Sequence, residues 1–442
     1  MAGPAEQART DAGRARDGRS DVETTDTGRS PAWRFPAWLP TAGLLTAWAA
    51  TRLTLLLFVL KVWIFPGPDV TSDVSVIYRG WYDVLSSGTF PSDDVTWQYP
   101  PAAALPVLSP ALLPFLDYPT AFFVLACAAD LVVLVLLRCG GGGAGGSALG
   151  AWVWVAGVPL LGPTVYARYD VMVTAVAVAA LLAAGRHPRA AGALAAFGAL
   201  LKVWPVLVLV GIRRRAAWVA AALTGAGLAA LFAVAMPGAF AFLTFQRDRG
   251  TEVESLGSLV FHVARHAGWD GQVLLNYGSV EFLGPHVETV STAALALTGA
   301  AFGWLLLWRV AASRFEAHTA ADAAFVAVLM FTVTSRVISP QYMVWLIGVG
   351  AVCGCFRAGR MRVPVALVLA AAPVTALEFP VWFGHVVASD PLGVTLLSVR
   401  NGLLVAAALV AARALWRDTV PRRGSASVPT RPARADEAPV PR

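Results

Sequence analysis

The chain has 442 residues, of which 57% are hydrophobic and only 14% charged. Soluble domains carry about 25% charged residues, so the composition excludes an ordinary soluble enzyme and points to a polytopic membrane protein. The formal net charge of +7 is no nucleic-acid signal, because the basic residues sit mostly in tails and short loops, as the positive-inside rule requires.

Residues 1–35 are rich in Arg, Asp, Gly, Ser and Thr and nearly lack large apolar residues. Such a segment cannot bury a core, and residues 1–38 are predicted to be a disordered cytoplasmic tail. No apolar run opens them, so no signal peptide is expected. The first span is predicted over residues 39–63, long enough to cross a bilayer core of ~30 Å. The arginines before it place its start in the cytoplasm. Arg52 and Lys61 fall within it; Lys61 can snorkel, whereas Arg52 is deeper and should face protein.

The loop 63–100 then lies outside. Over residues 66–101 it carries five acidic residues, one arginine (Arg79) and the aromatics Tyr78, Trp81, Tyr82, Trp97 and Tyr99. Long connections are usually functional or disordered, and this one is too aromatic for disorder. Residues 100–116 hold five prolines, so they can sit at membrane depth only when buried in protein. Spans are predicted over 119–138, 150–166 and 171–184. The segment 190–212 lies between two basic clusters and is too short for two crossings. Either it forms two short helices broken around Lys202–Pro205, or one cluster is on the other side. Further spans follow at 216–236, 290–311, 322–335, 341–356, 363–379 and 392–416. A second large outer loop covers 237–289, and residues 418–442 are a second predicted disordered cytoplasmic tail. The expectation is an all-α polytopic membrane protein with roughly ten to twelve spanning or half-spanning helices. Several are short or proline-broken, the pattern of helices that line a cavity.

Four cysteines, Cys127, Cys139, Cys353 and Cys355, fall in no predicted outer loop, so no disulfide is expected. Their spacing suits no zinc site, and His262 and His266 lack a third ligand nearby.

The polar residues at membrane depth converge on the outer helix ends: Asp73, Arg168, Asp170, Lys202, Glu252, Glu254, Arg336 and Gln341. Buried ionisable groups in membranes are costly and usually functional. A transferase acting on a sugar hydroxyl needs a carboxylate base, cations for a leaving phosphate, and aromatic faces to stack on sugar rings. The outer segments offer Asp73, then Arg168, Lys202 and Arg336, then Trp81, Trp97, Tyr99 and Trp204. Structural readings stand beside these. Asp73 could cap a helix over 74–86, Arg168 and Asp170 could pair with each other, Lys202 could snorkel, and Glu254 could pair with Arg247 or Arg249. Asp93 and Asp94 look like a solvated turn.

The stretch SDVSVIYRGWYDVLSSGTFP followed by WQYPP resembles the first-loop signature of glycosyltransferase family 87, polyprenyl-phosphate-mannose-dependent enzymes of the GT-C fold. The elements are Asp73, Tyr78, Gly88 with Pro91, and Tyr99-Pro100-Pro101. YARYDVMVTAVAVAALL, LLKVWPVLVLVGIRRR, RDRGTEVESLGS and SRVISPQYMVWL also resemble family segments, in the same order. The chain departs at Ala167–Asp170, where related members often carry Gly-Gln-x-Asn.

The resemblance implies a GT-C transmembrane domain over residues 39–417 with its active site outside. It implies a polyprenyl-phosphate sugar donor, most simply mannosyl, an outer-leaflet glycolipid or glycan acceptor, inversion, and no metal or other cofactor. Asp73 falls on the family's base. Tyr78, Trp97, Tyr99, Arg168, Asp170, Lys202, Glu254, Arg336, Gln341 and Tyr342 are the candidate substrate-binding residues. The expected location is the cell membrane, with both termini cytoplasmic. The competing class is a lipid or glycolipid flippase, which broken helices would suit. The absence of an internal repeat, and polar residues gathered at one face rather than at mid-depth, argue against it.

Overall fold

The computed structural model describes residues 39–142, 146–247 and 249–421. The predicted tail 1–38 and nearly all of the tail 418–442 lie outside the described residues. By contact the chain divides after Ala42. Before that point only the first turn of a helix is described, and Gly43–Arg442 form the compact unit considered below.

The helices in chain order are α1 (Leu39–Val59), α2 (Arg79–Ser86), α3 (Ala104–Leu108), α4 (Tyr118–Gly140), α5 (Leu149–Gly157), α6 (Asp170–Ala183), α7 (Pro188–Leu201) and α8 (Arg215–Ala235). There follow α9 (Phe242–Arg247), α10 (Leu259–Arg265), α11 (Val287–Ala311), α12 (Thr319–Thr334), α13 (Tyr342–Gly354), α14 (Arg362–Ala376), α15 (Phe383–Ala388) and α16 (Pro391–Thr419). Among the described residues, six are long and apolar enough to cross a membrane: α1, α4, α8, α11, α14 with its extension to Val381, and α16. Six shorter apolar helical segments complete the bundle. The protein is thus an all-α polytopic membrane protein. Val234 and Val310 are at least four-fifths exposed on α8 and α11, as suits faces turned to lipid.

Proline and glycine set where the helices break. After α5 a 3₁₀ turn runs over Val158–Val165, kinked at Gly162, which adopts positive φ. Pro159 has no N–H to give the carbonyl of Val155; Arg52 Nη1 takes that carbonyl at 2.8 Å instead. Arg52 is 1% exposed and pairs with Asp130, which is fully buried, at 3.0 Å. Asp130 also accepts the indole N–H groups of Trp48 and Trp154 and the hydroxyl of Tyr166. This cluster binds α1, α4 and α5 by a fully satisfied charge pair. Elsewhere α7 and α8 meet so closely that a Cβ on Gly192 would lie 1.9 Å from the carbonyl oxygen of Ala217.

The segment 190–212 adopts the first of its two expected arrangements. α7 stops at Leu201, where the ring of Pro205 would meet the carbonyl of residue 201, and a 3₁₀ turn Trp204–Leu209 continues. The proline-rich 100–116 region is likewise broken into 3₁₀, α and 3₁₀ pieces.

At one end of the bundle lie the long loops. Between α9 and α11 they include a three-stranded antiparallel sheet of order β1–β3–β2, formed by β1 (Thr251–Glu252), β2 (Gln272–Asn276) and β3 (Ser279–Leu283). Tyr277 and Gly278, both at positive φ, make the two-residue turn that suits a tight hairpin. His262 is held by Val253 O and Ser389 Oγ, and His266 by Ser389 O, so these histidines tie α10 to the segment after α15. At the opposite end the short loops interlock. Arg357 donates to Gly146 O, Arg309 to Ile212 O, and His318 meets Asp418.

Two expectations are corrected here. Lys61 is not inside the first span: α1 ends at Val59, and Lys61 follows in a left-handed turn, 2.8 Å from Asp69. Asp94 is not merely a solvated turn residue. It accepts Trp81 Nε1 and the N–H and hydroxyl of Thr96, and so orders the first loop; Asp93 remains exposed.

Removing one partner of a buried pair strands the other charge. Asp130→Ala is expected to lower stability by about 3–5 kcal/mol, measured by equilibrium unfolding of the purified protein in detergent.

Candidate active site

The break after α7 supplies the floor of the site. Lys202 is extended rather than helical, which turns its side chain under the first loop. Its Nζ lies 2.7 Å from Asp170 Oδ1, with the rings of Trp345, Tyr99, Tyr169 and Tyr342 at 5.1–5.6 Å. Cation–π attraction is strongest where the ammonium is desolvated, and Lys202 is 9% exposed. Trp345 Nε1 donates to the same Asp170 oxygen at 2.6 Å. Tyr342, Trp345 and Trp204 stack in sequence, with centroids 3.9 and 5.2 Å apart.

Asp73 opens the helical run of the first loop in a π-wound turn, Asp73–Tyr78. No side chain caps that turn. The Asp73 carboxylate instead lies 2.8 Å from Arg168 Nη2, the two side chains being 31% and 10% exposed. Arg168 also donates to Val70 O and Ala167 O. Arg168 and Asp170 are therefore not a helix-end pair: each has its own ion partner, Asp73 and Lys202.

The second loop makes the facing wall. Arg249 pairs with Glu281 at 3.1 Å, Glu281 being fully buried in β3. Glu281 also accepts from Gly250 N, Asn276 and the hydroxyl of Ser279. The expectation that Glu254 pairs with Arg249 is thereby overturned, and the Arg247 side chain lies outside the described residues. Glu252 accepts Ile338 N at 2.7 Å and the Ser339 hydroxyl at 3.0 Å, while its own N–H bonds Arg336 O. The strand thus fixes the proline-broken junction between α12 and α13. Arg336 donates to Ser291 Oγ and Gln246 O.

Together these walls enclose a cavity of about 500 Å³, within the range of small-ligand sites. Of the residues singled out from sequence, Asp73, Tyr99, Arg168, Lys202, Trp204, Glu252, Glu254, Arg336, Gln341 and Tyr342 line it. Asp170 lies beneath and reaches it through Lys202. Tyr78 and Trp97 do not line it. Both are about 1% exposed, in an aromatic layer with Trp81 that backs Tyr99. Arg249, Gln246, Trp345 and Tyr277 line the cavity and were missed. Arg249 stood in the RDRG segment, and Trp345 follows Tyr342 at i+3, so both were within reach of a closer reading; the Tyr277 hairpin gave no chemical signal.

Burial raises the Glu252 carboxyl above its ordinary range, against the pull of Arg249. Burial, with the charges of Asp170 and Asp73, pushes the Tyr99 hydroxyl up to about 12, so it stays a neutral hydrogen-bonding group. Among the described residues no group of three or more His, Cys, Asp or Glu could hold a metal ion. A second cavity of about 480 Å³ lies beside α2, against Trp81, Phe90 and Asp94. No basic residue lines it, so it offers nothing to a phosphate.

A model of glycosyltransferase family 87 matches residues 97–340. The span takes in Arg168, Lys202, Arg249, Glu254 and Arg336 and begins after Asp73. No curated protein and no solved structure matches the chain.

Lys202→Met would leave Asp170 buried without a cation. A loss of about 3–5 kcal/mol is expected, and Lys202→Met with Asp170→Leu should recover most of it, since an apolar pair can replace a buried ion pair at little cost. Unfolding in detergent of the two single variants and the double variant checks this.

Proposed function

The chain belongs to glycosyltransferase family 87, and from that premise we propose that it moves a hexosyl group, most simply mannosyl, from a polyprenyl-phosphate donor to an outer-leaflet glycolipid or glycan. Transfer inverts the anomeric centre, and Asp73 is the general base. The observation that carries this reading is that one cavity is lined both by the partly exposed carboxylate of Asp73 and by the cations Arg168, Lys202, Arg249 and Arg336.

In this mechanism Asp73 takes the proton of the acceptor hydroxyl as that oxygen attacks the anomeric carbon. The bond from the anomeric carbon to the phosphate oxygen breaks, and the lipid phosphate leaves with the electron pair. Arg168 holds the Asp73 carboxylate in position. Arg336 and Arg249 are suited to a phosphate by their planar forks, and Lys202 adds a point charge. Their fixed positions, set by Gln246 O, Ser291 and Glu281, stabilise the developing charge without reorganisation. Val203, Leu243 and Phe331 on the cavity wall suit the first units of a polyprenyl chain. The second arrangement that supports the reading is the distribution of charge. Arg186, Arg189, Arg213, Arg214, Arg215, Arg357 and Arg360 occupy the short loops away from the cavity, and under the positive-inside rule this supports a cavity open to the outside of the cell membrane with both termini in the cytoplasm.

The test is transfer by the purified protein in detergent, with mannosyl polyprenyl phosphate and mannosylated glycolipid acceptors. Wild type is expected to transfer, with the product anomer inverted. Asp73→Asn is expected to be slower by about 10²–10⁴-fold, the usual contribution of a general base, while donor affinity stays near wild type. Equal rates would remove Asp73 from the role of base. No transfer from any lipid-phosphate sugar would remove the donor class.

A further inference from the structure

Behind the second-loop wall lies a carboxyl pair that the mechanism above does not use. Arg400 and Glu378 are both fully buried, and Arg400 binds both Glu378 oxygens, at 3.0 Å through Nε and 2.6 Å through Nη2. The same guanidinium donates to the carbonyl oxygens of Glu254 and Ile338. The Glu254 carboxyl lies against that of Glu378. A hydrogen bond between two carboxyl groups needs a proton. Two N–H bonds from Arg400 fix Glu378 as the anion, so Glu254 carries the proton. Burial and the neighbouring charges of Glu378 and Glu252 raise Glu254 well above the usual carboxyl range, in the same direction.

Glu254 is 5% exposed and lines the cavity. Its Oε1 is sealed from solvent and meets no N–H or O–H donor, which leaves the Glu378 carboxyl as its partner. With Oε1 sealed, any polar contact that Glu254 makes in the cavity is through its other oxygen. With the proton directed to Glu378, that oxygen is a neutral carbonyl acceptor. It cannot receive a phosphate oxygen, which is also an acceptor. It can receive a hydroxyl.

We propose that Glu254, held by Glu378 and Arg400, is a specificity-determining residue that accepts a hydrogen bond from one hydroxyl of a bound sugar. The proposal rests on the glycosyltransfer reading and adds to it where in the cavity a sugar, rather than its phosphate, is recognised. A buried group left without its hydroxyl partner strongly disfavours a substrate lacking that hydroxyl. Donor and acceptor sugars share this hydroxyl chemistry, and the experiment separates the two.

The test compares wild type, Glu254→Gln and Glu254→Ala on the natural-type substrates and on a set of singly deoxygenated hexoses, placed first in the lipid-phosphate donor and then in the acceptor. One deoxy position, in one of the two arms, is expected to lower kcat/KM of wild type by about 10–100-fold. Glu254→Gln keeps both a donor toward Glu378 and a carbonyl toward the cavity, so it should lose less than Glu254→Ala and keep the same deoxy penalty. Glu254→Ala should lose about as much on the full substrate and show little further penalty with the deoxy one. Wild-type transfer with no deoxy position tied to Glu254, or a well-folded Glu254→Gln as impaired as Glu254→Ala, overturns the inference and leaves the glycosyltransfer reading standing. Failure of wild type to use any lipid-phosphate sugar overturns both.

Discussion

A charge taken into a membrane bundle must be paired and hydrogen-bonded, and the structure depends on how that requirement is met. Isolated ions in low dielectric cost several kcal/mol or more. Arg52 with Asp130, Lys202 with Asp170, Arg249 with Glu281 and Arg400 with Glu378 satisfy it. Each pair joins segments far apart in sequence. The first is structural cement, since Asp130 is saturated by indole and phenol donors as well. Of the others, Lys202 and Arg249 line the cavity, where their charges are available to a ligand, while the Arg400 pair is buried behind its wall.

Interrupted helices make those pairings possible. A continuous helix offers no free backbone group and projects its side chains sideways. Pro205 ends α7 and turns Lys202 inward; Pro159 frees the carbonyl that Arg52 takes. Pro340 opens the junction on which Arg336 and Gln341 sit. The second loop then locks these broken ends through β1, whose Glu252 side chain and N–H hold residues 336–339. Rigid support of this kind is what preorganised electrostatic catalysis requires.

Much of this was legible in the sequence, and the limits are physical. Hydropathy located the spans because a bilayer imposes length and apolarity on each segment separately. Prolines marked the broken segments for the same local reason. The residues that gather at the cavity were picked out because charge is rare in this chain. Pairing was not legible: Arg168 and Asp170 are two residues apart and look like partners, yet each binds a residue from a distant segment. Tyr78 and Trp97 could not be told from cavity aromatics, because an aromatic-rich loop needs a packed layer of its own before it can present a surface. Lys61 was misplaced by the turn after Val59, whose left-handed residue carries no glycine to announce it. Arg249 owes its position to Glu281, some thirty residues on, and no local pattern shows that.

The most direct test of the central claim is a structure of the full chain in a lipid nanodisc with a non-transferable phosphonate analogue of a polyprenyl-phosphate hexose. The account predicts density in the cavity, with the phosphonate oxygens against Arg336, Arg249 or Lys202 and the hexose on the side toward Asp73. Analogue bound elsewhere on the bundle with this cavity empty, or phosphonate seated against Glu254 rather than the cations, would contradict it.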